Sequence, residues 1–241
     1  MKRTERHHLK DNELATMAAS AQRMLEARKS MVTIVVLAVA VVAAVVLGYR
    51  AWRGHAESGA QALLSEALAI EETRVGPPAA PGTPSSGPSF ATVRERNEAA
   101  LAKLQAVADQ HSGTDVAVLA RYKSAAILMG LGKPQDAASA YQAVIDGARS
   151  ELTADMARLG LAEAQAQAGD HDKAISTYKA LAERKEGPLP VEGILMELGR
   201  TYLSAGRTDD AQQTFNRVVD EFPNSPFTAE AQRELDALKK T

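Results

Sequence analysis

Three glycines, Gly132, Gly169 and Gly206, stand 37 residues apart, and the residues around them repeat with them. Five positions after each glycine comes an alanine: Ala137, Ala174, Ala211. Four further on comes an aromatic ring (Tyr141, Tyr178, Phe215), and three beyond that an aliphatic side chain (Val144, Leu181, Val218). The turns agree too: Gly-Lys-Pro-Gln-Asp-Ala, Gly-Asp-His-Asp-Lys-Ala and Gly-Arg-Thr-Asp-Asp-Ala. A fixed period in this range is the mark of a solenoid. The spacing predicts a helix, a turn opened by glycine and a second helix in each unit. Glycine ends the first helix because it enters the left-handed region without a Cβ clash. The alanine is small, so the two helices approach closely, and the ring one helical turn later fills the gap between neighbouring units. One such hairpin cannot bury its apolar face alone, so stacking supplies the core.

Composition agrees with helices. Aromatic residues make up only 4% of the 241, and alanine is abundant, which suits closely packed helices more than sheets. The chain has no cysteine, which excludes thiolate zinc sites, disulfide frameworks and cysteine nucleophiles. A formal net charge of −2 lacks the concentrated basic face of a nucleic-acid binder.

A second feature precedes the repeats. Met31 to Gly48 holds no charge, no proline and no polar side chain except Thr33. As a helix rising about 1.5 Å per residue it spans roughly 27 Å, against a hydrocarbon core of about 30 Å. Tyr49 and Trp52 follow, where amphipathic rings sit at the headgroup level. A core helix would carry a polar face, and this one has none. A signal peptide has an apolar region of about 7–15 residues and a short leader; here the leader is residues 1–30, and Gly54-His55-Ala56 is a poor cleavage site. The expectation is a retained transmembrane anchor over residues 31–52. Lys2, Arg3, Arg6, Lys10, Arg23, Arg28 and Lys29 precede it, with Arg50 and Arg53 close behind, so the N-terminus is expected in the cytoplasm. The leader carries an amphipathic pattern (Leu14, Met17, Ala18, Ala21, Met24, Leu25) suited to a helix on the membrane surface.

After the anchor the reading is a helix over 53–74, a Pro/Gly/Ser-rich flexible insertion over 75–90 and the solenoid over 91–241. One period before Ala137 and Tyr141 stand Ala100 and Leu104, so the helices flanking the insertion are expected to form a degenerate first repeat. From Asn224-Ser225-Pro226 to Lys239 a last helix with a charged outer face fits a solubilising cap.

The pattern resembles the tetratricopeptide repeat. The last unit matches best, with Leu195, Leu198, Gly199, Tyr202, Gly206, Ala211, Phe215 and Pro223 at that family's spacing. The middle unit keeps Leu161, Ala162, Gly169, Ala174 and Tyr178, but has Gln165 where the family usually has an aromatic; the first keeps Ala125, Gly132, Ala137 and Tyr141. The period of 37 exceeds the family's 34, which implies longer inter-repeat loops. The fold class expected is all-α, a single transmembrane helix followed by a tetratricopeptide-like solenoid of helical hairpins.

A wider resemblance rests on the order of leader, anchor, Gly-Tyr-Arg-Ala-Trp (Gly48 to Trp52), helix and repeats, and on Val219 to Pro226 at a repeat joint. That arrangement is similar to the YfgM-type ancillary subunits of the bacterial SecYEG translocon. The same repeat domain occurs in the CpoB cell-division coordinators. The leader here is longer and more basic, and the Pro-rich insertion is additional. The resemblance implies an inner-membrane protein with its repeats in the periplasm. Its partners would be translocon subunits, a periplasmic chaperone or unfolded chains, besides the bilayer. The alternative is an envelope organiser coordinating wall synthesis, division or outer-membrane assembly.

No motif for phosphate, dinucleotide or metal is present, and no cofactor, nucleic acid or small-molecule substrate is expected. Asp170-His171-Asp172 occupies the same turn as Lys133-Pro134-Gln135 and Arg207-Thr208-Asp209, which reads as solvated turn. His7 and His8 have no third ligand nearby. The expectation is therefore no enzyme but a concave surface lined by the first helix of each repeat. Its inward positions are Leu119, Tyr122, Met129, Met156, Leu159, Glu163, Met196, Arg200 and Leu203. Three methionines among them suit varied apolar partners, or else inter-repeat core.

Overall fold

The computed structural model describes residues 29–76, 89–184 and 187–239. The leader, with its amphipathic pattern and His7-His8, and the middle of the Pro-rich insertion lie outside the described residues. Nine α-helices run through the described residues: α1 Lys29–Glu71, α2 Val93–Gln110, α3 Asp115–Gly130, α4 Pro134–Gly147, α5 Glu151–Gln167, α6 His171–Ala182, α7 Val191–Ser204, α8 Thr208–Glu221 and α9 Thr228–Leu238. The chain divides into two compact units, residues 1–55 and 56–241.

In the first unit, the side chains described from Met31 to Ala51 are all exposed, and the most apolar eighteen-residue window has a mean hydropathy of 2.5. The helix is long and apolar enough to cross a membrane. Tyr49 and Trp52 stand one turn apart with ring centroids separated by 6.2 Å. The expected second helix over 53–74 does not start afresh. It is the continuation of α1, which ends at Glu71. Gly54 and Gly59 do not break it, since a lone glycine inside a helix costs only about 1 kcal/mol.

The second unit is a stack of helical hairpins. The end of α1 packs on α2 and α3 through Ala60, Leu64, Ala67, Leu104, Val107, Val116 and Ala120. Lys103 to Glu66 at 3.2 Å and Lys123 to Glu71 at 2.9 Å tie the same three helices together. The base of the insertion is pinned: Gly76 N–H donates to Phe90 O at 3.0 Å, and Phe90 N–H to Arg74 O at 3.1 Å. Its ends at 75–76 and 89–90 are thus ordered, which the composition of the segment did not indicate.

The repeat turns share one geometry, and each requires its glycine. Gly132, Gly169 and Gly206 have φ of +72°, +84° and +72°. Lys133 N–H donates to Leu128 O, Asp170 N–H to Gln165 O and Arg207 N–H to Tyr202 O, at 2.9, 2.9 and 2.8 Å. Each glycine N–H bonds to the carbonyl three residues back, completing the Schellman pattern that satisfies a helix C-terminus. Hydroxyls cap α2, α3 and α5: Thr92, Thr114 and Ser150 accept from Glu95, Ala117 and Thr153 N–H. Two larger cores follow, one across α3 to α5 around Tyr141, the other across α6 to α9 around Tyr178 and Phe215. The last helix begins at Thr228, two residues later than Pro226, because Thr228 Oγ1 donates to Phe222 O at 2.7 Å and the joint turns there.

Candidate functional site

The repeat-defining residues occupy structural places. Ala137, Ala174 and Ala211 are fully buried, as are or nearly are Tyr141, Tyr178, Phe215, Leu198 and Tyr202. Gly160 and Gly199 admit the rings of Tyr141 and Phe215 where a side chain would stand. Gln165, at the position of Tyr202 one period earlier, accepts a hydrogen bond from Thr177 Oγ1 at 3.1 Å, so a polar link replaces the ring. Tyr202 itself lies under the Arg207 guanidinium, 4.8 Å from its centroid. Pro223 is exposed just past the end of α8.

The nine inward positions part company. Leu119 and Met156 are 45% and 39% exposed. With Tyr122 they line a cleft of about 360 Å³ between α3 and α5, completed by Asp115, Val118, Arg149, Ser150 and Thr153. Tyr122 meets Tyr141 edge-on, 5.5 Å between centroids. Met129 is half-buried against the α3–α5 core, and Leu159 and Leu203 against the α6–α9 core. Arg200 bonds Glu197 at 2.5 Å and also Glu230. Glu163 is exposed on α5. Met196 is not a surface residue at all. It is fully buried among Leu195, Tyr178 and Phe215, so the continuous groove of nine residues does not form. Phe227, in the joint before α9, lies over the same helix at Gly193, one turn before Met196.

Leu152, 46% exposed, was missed. It precedes Met156 by one turn and shares its face, a spacing the sequence does display. Beyond α1, the large apolar side chains exposed among the described residues are Val93, Leu119, Leu152 and Met156. Leu119 and Met156 gather at the cleft; Leu152 stands beside it, one turn before Met156 on α5. Arg149 closes the far end of the cleft, bonding Asp115 at 2.9 Å and Gly113 O at 2.7 Å. Asp155, its side chain 2% exposed, holds Arg158 at 2.6 Å and also Arg184, which reaches Glu151. One period earlier the position is Val118, so nothing in the repeat announces a buried carboxylate there.

Burial pushes the Tyr141 hydroxyl up to about 12, helped by neighbouring Tyr122 and Glu163. It raises Tyr178 as well, with Glu197 and Glu163 adding to the effect. Both rings therefore act as neutral packing elements. Among the described residues, no three of His, Asp and Glu are grouped to hold a metal ion.

The tetratricopeptide repeat-like domain family matches residues 28–240. The chain belongs to that family. The match covers the apolar helix as well as the repeats. A Q17M variant of a Podosopora anserina protein with nearly identical TPR-like repeats, named for kinesin light chain, is similar in structure. Identity is 17% and the TM-score 0.55, over 76% of this chain and 86% of that one. A tetratricopeptide repeat protein from Parabacteroides merdae gives a TM-score of 0.55 at 14% identity, over 76% of this chain and 61% of that one. This chain thus spans about three fifths of the bacterial protein it matches. At these identities the likeness is one of fold. No curated protein matches. The tetratricopeptide repeat-like architecture is that of a protein-interaction scaffold.

Proposed function

We propose that this protein is a membrane-anchored adaptor whose extracytoplasmic solenoid binds protein partners, ancillary to the Sec translocon and to periplasmic folding factors or emerging chains. The observation that carries the binding role is the exposure of Leu119 and Met156 together in the α3–α5 cleft of the second unit. Each is just under half exposed and so forgoes about 1 kcal/mol of burial, and paired exposure of this kind marks interaction surfaces. The family match from residue 28 supports treating the apolar helix as part of the same functional unit. The similarity to YfgM-type subunits supplies the translocon.

The test is in-cell photocrosslinking from a benzoylphenylalanine placed at Leu119 in the full-length protein. Recovery of translocon subunits or a periplasmic folding factor is the expected result. Wall-synthesis or outer-membrane assembly proteins, with the translocon missing, would overturn it in favour of an envelope organiser.

A further inference from the structure

We infer that the α3–α5 cleft is a socket for one aromatic side chain of a polypeptide partner, with a basic residue of the same segment reaching Glu163. This rests on the adaptor reading and specifies its ligand. The repeat register carries the argument. Leu119, Thr153 and Met156 recur two periods later as Gly193, Phe227 and Glu230. There the ring of Phe227 lies over Gly193, its Cε2 3.5 Å and Cζ 3.7 Å from where a β-carbon would stand. It packs against the core that contains Met196. The chain therefore fills the later cleft with an aromatic ring of its own, delivered from the start of the next helix. In the α3–α5 cleft that position holds Thr153, which is too short to do the same, and Leu119 and Met156 are left exposed.

Size and charge narrow the occupant. About 360 Å³ is at the small end of the roughly 300–1,000 Å³ of ligand sites, room for one bulky side chain. A wall that includes a tyrosine and a methionine favours a ring. Asp115 and Arg149 neutralise each other at one end. Glu163 lies one heptad along α5 from Met156, hence on the same face and about 10 Å away. It is exposed and forms no ion pair among the described residues. In an extended segment at about 3.3 Å per residue, a lysine or arginine three positions from the aromatic spans that distance.

The experiment uses the full chain in lipid nanodiscs with ¹³C-methyl methionine, Met156 being assigned through Met156→Leu. The probe is the acetylated, amidated peptide Ser-Lys-Ser-Ser-Phe-Ser-Ser, with versions carrying alanine for phenylalanine or serine for lysine. The expected result is a shift of the Met156 methyl, none at Met196, and binding at least tenfold weaker for the alanine peptide. Thr153→Phe, which plugs the socket as Phe227 plugs its counterpart, abolishes the peptide-induced shift of the Met156 methyl and the binding. Leu119→Lys gives the same loss should Thr153→Phe fail to fold. Glu163→Gln weakens the lysine peptide severalfold and leaves the serine version unchanged. Equal responses to the phenylalanine and alanine peptides, a silent Met156, or undiminished binding by a folded Thr153→Phe would overturn the socket. Translocon crosslinks from Leu119 alongside such silence would leave the adaptor reading standing. Peptide binding with no translocon or folding-factor crosslink would sink the adaptor's assignment alone.

Discussion

A β-carbon on Gly160 would stand 2.5 Å from Cζ of Tyr141, with two further ring atoms inside 3.0 Å. The glycine on α5 is thus the seat of the ring that α4 presents. Gly199 serves Phe215 in the same way within the last hairpin. Gly160→Ala gains about 1 kcal/mol of helix propensity and loses about 1–3 kcal/mol to overpacking. Neither ring is the free end of a flexible chain, so packing wins. Urea unfolding of the full chain in detergent, followed by circular dichroism, is expected to show a net loss of up to about 2 kcal/mol at Gly160 or Gly199. Gly54→Ala, with open space around the added carbon, is expected to be neutral or mildly stabilising.

Met196 and Leu119, both expected to face inward from the first helices of their hairpins, respond oppositely to charge. Met196 is sealed in the α6–α9 core, so Met196→Lys buries an unpaired ammonium and unfolds the C-terminal repeats. Leu119 faces the cleft, so Leu119→Lys is expected to change stability by under about 0.5 kcal/mol. Limited proteolysis separates them: new cuts beyond Gly187 for Met196→Lys, and the parent pattern for Leu119→Lys.

Asp155 bridges Arg158 and Arg184 from an almost fully buried position. Removing one partner of a buried pair costs about 3–5 kcal/mol when the other charge is stranded. Here the two arginines are 38% and 33% exposed and turn to water, which reduces the cost. Asp155→Ala is expected to lose about 2 kcal/mol. Arg184→Leu made on that background recovers part of it, because the remaining charge no longer needs a partner. A double-mutant cycle in urea measures the coupling. Purely additive losses would mean that the bridge contributes nothing of its own.

The solenoid was legible because its period is written in residue types with fixed duties. Glycine must take positive φ at 132, 169 and 206, and the alanines must let two helices touch. The inward positions were only half legible. Periodicity says which face of a helix points inward. It does not say whether a residue distant in sequence covers that face, as Phe227 covers α7 at Gly193. Asp155 was illegible for a related reason: its partner Arg184 lies beyond the next helix, and a carboxylate in a register column shared with Val118 and Glu192 reads as a surface residue. The single helix running from Lys29 to Glu71 was also not foreseen. A change from apolar to polar residues marks a change of surroundings, not an end of backbone hydrogen bonding.

Alkaline unfolding tests the two buried tyrosines. A hydroxyl whose ionisation is raised in the folded state keeps its full contribution below the unfolded value of 10.0, and loses it as pH climbs toward the folded value, about 12 for Tyr141. Above pH 10 the unfolded chain gives up these protons first, so stability falls with pH through that window. Tyrosinate absorbance from Tyr141 and Tyr178 is expected to appear together with the loss of helicity rather than ahead of it. Tyr141→Phe removes that residue's share of the slope and leaves the share from Tyr178, whose hydroxyl is raised by the same burial. All five tyrosines ionising near pH 10 with helicity intact would contradict the packing of both rings. That packing is the contact by which each repeat is held to the next.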